Sequence, residues 1–379
     1  MIHPTLKPIS AVAGDGHLLV YVRPYERLEL ADPDGSTAAL LQLLAAGDRT
    51  TAGIAAELRS RGYGVSDDDV SDGIAGLAEL GLVYEADDWS TIPTEVRARH
   101  QSNLHYYELF STPQRGAADI HAAVARARVL LLGAGGAGSG ILQSLVGAGV
   151  GFVRLVDVDT VETKNLARQF CYSQDAIGRH KVDAAADWVR AYSPETRVEP
   201  LVERITDAVR IRELAADVDV VVCAIDTPTD AQLLVNEACM QLGIPFVTGG
   251  LQQSTLYYWS VEPGVSPCRL CLELHRQDQL HGSESILARP PLLLASTVNR
   301  GTGPVVQMLS GLMALETLRF LSRHDEPVAR ATYHWIALAD QMSTGRDPWT
   351  YHPACKRCAD RRTVNGETDT EPAEPTVAA

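Results

Sequence analysis

The residues of this sequence that could do chemistry fall into two groups: glycines, carboxylates and cations between positions 133 and 226, and four cysteines in two pairs further on. The run Gly133-Ala-Gly135-Gly136-Ala-Gly138-Ser139 follows an apolar stretch and opens a helical pattern. Its glycines let the backbone turn tightly and leave N–H groups free at a helix N-terminus, which is an anion site. Asp157 ends the next apolar stretch, where a carboxylate can accept hydrogen bonds from ribose hydroxyls. These features bind a nucleotide without choosing it, since Gly133, Gly135 and Gly138 also satisfy the GxGxxG pattern used for NAD. The segment Asp157-Val-Asp159-Thr-Val-Glu162-Thr-Lys-Asn165-Leu-Ala-Arg168-Gln169, then Gly178-Arg-His-Lys181, places two cations, Arg168 and Lys181, just beyond the ribose carboxylate. Two cations aimed at one nucleotide suit a triphosphate with developing charge better than a pyrophosphate bridge. Ala224-Ile225-Asp226 puts a further carboxylate on the same sheet edge, in a position suited to Mg²⁺.

The pairs Cys268-Arg-Leu-Cys271 and Cys355-Lys-Arg-Cys358 each have the spacer that lets two thiolates bind one ion, and together they complete a closed tetrahedral Zn²⁺ site of structural type. A redox-active CxxC is the alternative. Cys223 and Cys239 read as small buried hydrophobes, and Cys171 is ambiguous.

The elements that must position these groups follow from periodicity and breakers. Strands are expected over 128–133, 152–157, 197–205, 218–226 and 245–251 with helices between them, which predicts an α/β fold with a doubly wound, Rossmann-like, mostly parallel sheet. An antiparallel strand over 255–262, a helix over 303–323 and a strand over 329–337 follow. Residues 1–95 read as a small winged-helix-like α+β domain. It has a strand at 17–23, helices at 36–46, 50–61 and 67–80 with Ser36, Thr50 and Ser66 as N-caps and Gly47, Gly62 and Gly81 as stops, and a closing strand at 82–85. The main domain is expected over 96–364, and the Pro-, Glu- and Thr-rich tail 365–379 as disordered.

Composition narrows the function classes. Apolar residues are 45% and charged residues 21%, and the longest apolar stretch, 305–321, carries Glu316 and Arg319, so no membrane association is expected. The first ten residues lack the pattern of a secretory signal, and a cytoplasmic location is the expectation. The formal charge of −15 argues against nucleic acid. Within residues 1–95 there are 16 Asp and Glu against 6 Lys and Arg, so the winged-helix pattern lacks a phosphate-binding footprint.

The ordered motifs GAGGAGS, DVDTVETKNLARQ, GRHK, CAIDTPTD and the paired CxxC resemble the ThiF/MoeB-type adenylation domain of the ubiquitin-activating superfamily, over about 99–358. The resemblance implies ribose binding by Asp157, phosphate contacts by Asn165, Arg168 and Lys181, Mg²⁺ binding by Asp226, and a homodimer. Gly136, Asp159 and Gln169 lie within the matching motifs and join the expected nucleotide site. Two departures stand out. Ser102 occupies the place of an Arg that the family donates to its partner's phosphates, so that Arg99 or Arg115 substitutes or the contact is missing. Lys164 and Ala167 replace polar residues around Asn165.

Residues 1–95 resemble the PqqD-like domains in which a leader peptide adds as a strand to a sheet edge. This implies an enzyme that uses ATP and Mg²⁺ to adenylate a carboxylate of a ribosomally made precursor peptide bound through its N-terminal domain, with the polar loop 275–289 as a candidate grip. Residues 272–299 contain no cysteine beyond the first pair, so the adenylate is expected to be attacked directly, without a covalent enzyme intermediate. Activation of a sulfur carrier's C-terminal Gly-Gly, a non-catalytic peptide-binding scaffold and an NAD-dependent oxidoreductase remain as alternatives.

Overall fold

The computed structural model describes residues 3–23, 26–85, 89–279 and 301–358. The tail 365–379 and residues 280–289 of the polar loop lie outside the described residues. The chain divides into two compact units, one of Met1–Ala127, Gly147–Gly151 and Leu321–Glu326, the other of Arg128–Val146, Phe152–Phe320 and Pro327–Ala379.

The first unit runs β1 (Pro4–Leu6), β2 (Ser10–Ala13), β3 (His17–Arg23), β4 (Glu26–Ala31), α1 (Ser36–Ala46), α2 (Thr51–Ser60), α3 (Asp67–Glu79), β5 (Val83–Glu85), α4 (Thr94–Glu108) and α5 (Ala117–Arg126). β2, β3 and β4 form an antiparallel sheet, and β1 pairs with β5. Leu18 and Val20 of β3 meet Leu40, Leu44, Ile54 and Ile74 of the helices in one apolar core. Thr50 caps α2 by accepting the Gly53 N–H at 3.1 Å, and Ser66 with Asp69 forms a reciprocal capping box on α3. Ser36 departs from its expected role as N-cap, because it is the first helical residue and a left-handed Gly35 precedes it. The Asp34 and Asp32 carboxylates accept the Ser36 and Thr37 N–H groups instead, at 3.0 and 2.9 Å.

The second unit runs β6 (Arg128–Leu132), α6 (Gly136–Ala148), β7 (Phe152–Val156), α7 (Lys181–Tyr192), β8 (Arg197–Leu201), α8 (Ala208–Ala215), β9 (Val220–Cys223), α9 (Ala231–Leu242), β10 (Phe246–Gln252), β11 (Thr255–Val261), α10 (Arg269–Gln279), α11 (Gly303–Ser322), β12 (Thr332–Ala337) and β13 (Ser343–Pro348). The sheet order is β13-β12-β11-β10-β9-β6-β7-β8. The strands from β8 to β10 are parallel and those from β10 to β13 antiparallel. The strand order reverses between β6 and β9, the point where a doubly wound sheet opens a crevice at its carboxyl edge.

By length and composition α11 is apolar enough to cross a bilayer, but it is a core helix in this fold. Its Glu316, fully buried, accepts hydrogen bonds from Ser260 Oγ at 2.8 Å and from the Ala329 and Val328 N–H groups at 2.9 and 3.1 Å. A buried carboxylate is tolerable only with such partners.

Candidate functional site

A cavity of about 630 Å³ opens at that crevice, beside the N-terminus of α6. Gly133, Gly135, Gly136, Asp157, Asp159, Asn165, Arg168, Gln169, Lys181 and Asp226 all line it. Gly138 does not, and its glycine answers to packing. A Cβ there would stand 1.9 Å from the Gly133 carbonyl oxygen. Gly133 itself has φ 101°, and a Cβ on it would meet the Ala224 carbonyl oxygen at 2.5 Å. The glycine loop is thus held close against the end of β9, and Gly133, Gly135 and Gly136 line the cavity at the N-terminus of α6.

Asp157 accepts the Ala134 N–H on Oδ2 at 2.7 Å and the Asp159 N–H on Oδ1 at 2.8 Å, fixing the glycine loop against the end of β7. Each oxygen retains a lone pair for an incoming hydroxyl. Tyr172, buried, donates to the Ala134 carbonyl at 2.7 Å and holds the same loop from behind. Lys181 opens α7 with a side chain only 7% exposed, and its Nζ pairs with Asp159 at 2.8 Å, while the Asp159 side chain is 61% exposed. Asn165 is buried, and its Oδ1 accepts the Glu162 N–H at 2.9 Å. Arg168 donates to the Lys164 carbonyl at 3.2 Å and lies across the start of α6, its Nε 3.8 Å from where a Gly136 Cβ would be. Gln169 is buried, and its Oε1 has no hydrogen-bond partner among the described residues.

Asp226 follows β9. It opens onto the cavity, yet the surrounding protein strips enough of its hydration to raise the carboxyl above the ordinary carboxylate range. Arg204, Gly249, Gly250 and Tyr257 also line the cavity and carry no motif in the sequence. Arg204 follows β8, Gly249 and Gly250 lie within β10 and Tyr257 within β11, and only the strand order makes them neighbours of the glycine loop. Of the two substitutes for the arginine missing at Ser102, Arg115 is engaged elsewhere: its guanidinium donates to the Arg323 carbonyl at 2.9 Å and to that of Ser322.

The four paired cysteines are buried, and their sulfurs lie within 4.8 Å of one another. Sγ separations are 3.6 Å for Cys268–Cys355, 3.7 Å for Cys271–Cys358 and 4.0 Å for Cys268–Cys271. Tetrahedral Zn–S bonds of about 2.3 Å place sulfurs about 3.8 Å apart, whereas a disulfide requires about 2.05 Å. The donor set therefore fits one zinc ion. Among the other thiols, burial pushes Cys171 up to about 12 and Cys223 up to about 11, and raises Cys239 as well. All three stay protonated and unreactive at neutral pH.

Residues 112–357 match the profile of the ThiF family. The sulfur carrier protein adenylyltransferase of Thermus thermophilus is 32% identical over 253 residues, covering 65% of this chain and 87% of that protein. Among solved structures, Escherichia coli MccB with ATP has a TM-score of 0.73 at 18% identity, over 94% of this chain and 99% of that one. The microcin C7 biosynthetic enzyme MccB in complex with N-formylated MccA has a TM-score of 0.72 at 17% identity, over the same shares. At such identity these structural likenesses are likenesses of fold.

Proposed function

This chain belongs to the ThiF family, and on that premise we propose that it uses ATP to adenylate a carboxylate of a ribosomally made precursor peptide. The observation that carries the proposal is the convergence of a helix N-terminus, Asp157, Arg168, Lys181 and Asp226 on one cavity. In this reading Asp157 holds the ribose, and the α6 N-terminus with Asn165, Arg168 and Lys181 holds the triphosphate. The ionised substrate carboxylate attacks the α-phosphorus in line, the P–O bond to the β-phosphate breaks, and pyrophosphate leaves. No general base is required, and the chain's task is positioning and charge stabilisation. Asp226 would hold Mg²⁺, which supplies further neutralisation of phosphate charge. The zinc site would hold two distant segments of chain together.

The peptide substrate is supported by the acidic first unit, whose β2 and β4 form the two edges of a small sheet, and by the fold likeness to an enzyme solved with N-formylated MccA. A homodimer is supported by the family and by Met308 and Leu315, which are exposed seven positions apart on one side of α11. A cytoplasmic location remains part of the same proposal. The likeness to the Thermus thermophilus enzyme favours a second substrate, the C-terminus of a sulfur carrier protein.

ATP–pyrophosphate exchange with the purified chain separates these readings. Exchange that depends on short peptides encoded beside the gene and disappears in Asp226→Ala supports peptide adenylation. Exchange driven only by a sulfur carrier protein favours the second reading. Tight peptide binding without exchange points to a scaffold.

A further inference from the structure

Tyr257 lines the cavity from β11, on the opposite side of the strand-order reversal from the ribose carboxylate Asp157. Its neighbour across the β10–β11 ladder is Gly250. A Cβ at position 250 would stand 2.8 Å from the Tyr257 Oη and 3.0 Å from its Cζ. Gly250 has no positive φ, so its glycine is there for space: any larger residue would push the phenol out of its seat. Gly249 is tight for a related reason, since a Cβ on it would meet the Tyr257 carbonyl oxygen at 2.6 Å and the Met313 sulfur at 2.9 Å. On its other side the Tyr257 ring rests on that of Tyr333, at 5.6 Å between centroids, and Arg276 donates to the Tyr333 hydroxyl at 3.4 Å.

The seated hydroxyl makes no hydrogen bond to protein among the described residues, and burial holds the phenol above its ordinary range, so that it remains a donor at neutral pH. A donor held in place without an acceptor is a site for a ligand acceptor. The nucleotide's own anchors lie over β6 and β7, whereas Asp226 follows β9 and Tyr257 projects over β10. In-line attack at the α-phosphorus requires the carboxylate to approach from the side away from the departing pyrophosphate. We infer that the Tyr257 hydroxyl donates to the acyl group's carboxyl oxygen, first in the substrate carboxylate and then in the acyl-adenylate. It therefore determines selection and orientation of the second substrate and leaves nucleotide affinity unaffected. This inference rests on the adenylation reading above.

Two stable analogues test it without knowledge of the natural peptide: 5′-O-sulfamoyladenosine, and the same compound carrying an N-glycyl group in place of the activated acyl. The full-length protein should bind the glycyl compound more tightly than its parent. Tyr257→Phe keeps the ring and removes only the donor. It should weaken the glycyl compound about five- to ten-fold, the value of one hydrogen bond, and leave the parent within about two-fold. Gly250→Ala should act in the same direction by displacing the phenol. Parent affinity measured on each variant reports whether the cavity is still folded. Equal loss for both compounds, loss for neither, or a wild-type protein that does not prefer the glycyl compound would overturn the assignment of Tyr257. Failure of the wild-type protein to bind either compound would instead overturn nucleotide use itself, and this inference with it.

Discussion

A lysine side chain as enclosed as that of Lys181 needs an anion, and Asp159 supplies one from its exposed position. An arriving phosphate can then take over the lysine without a new charge having to be buried. Asp159→Asn should destabilise the nucleotide-free protein by about 1–2 kcal/mol, a buried-pair loss discounted for the partner's exposure. Differential scanning should also show a larger midpoint rise on adding ATP than in the wild type. Asp226 presents the opposite case. Its carboxyl is raised by desolvation, so the folded state binds the proton more tightly than the unfolded state does. The associated stability is complete below the unfolded value of about 3.9 and is lost as pH rises through the higher folded value. Asp226→Asn removes that loss: the variant should melt above wild type at pH 7, with the gain fading towards pH 3. Pyrophosphate exchange should fall by about 10²–10³, as when an electrostatic group is removed from a transition state. A variant that is less stable at pH 7 would contradict the desolvation argument.

Among the elements, local pattern and outcome agree where one segment decides the matter. The glycine loop and Asp157 were legible because they sit at the ends of consecutive apolar strands, and the bounds of α1 and β3 coincide with their expected spans. β4 and β13 were not legible. β4 reads ERLELA, half charged, and only Leu28 and Leu30 reach the core, while β13 reads STGRDP and is a polar edge strand. Tyr257 and Gly250 escaped notice for a different reason, since their meaning depends on pairing between strands and not on spacing along one. Two glycines of the loop should behave differently on substitution. Gly138→Ala places a methyl against backbone at 1.9 Å and should cost more than about 3 kcal/mol, beyond ordinary overpacking. Gly135→Ala meets nothing within 4 Å, so it should keep its thermal midpoint near wild type while weakening ATP binding at the anion site. Denaturant melts and a nucleotide titration on both variants check this contrast.

At the scale of the whole molecule, the net charge of −15 and the acidic first unit argue against nucleic acid, whereas the peptide reading rests on the resemblance of residues 1–95 to PqqD-like domains and the nucleotide site on motif. The paired cysteines were also legible as one site, because identical spacers at two places leave few other uses for them. The helix expected over 303–323 lies between the pairs, but its place beside the glycine loop was not legible. Cys268 and Cys355 are 87 positions apart, and the chain they enclose includes α11, whose Val306 and Leu309 line the nucleotide cavity. On the reading proposed above, metal and nucleotide, bound at different places, would stabilise the same arrangement of that segment, and their affinities would be thermodynamically linked. Removing zinc with a chelator frees a long loop in the unfolded ensemble and should weaken ATP binding as well as lower the melting point. Reciprocity demands the converse: saturating ATP must tighten zinc by the same factor, so that transfer of zinc to a competing chelator becomes slower as nucleotide is added. A site with no part in the reaction thus becomes a gauge of how firmly the reaction's first substrate is held.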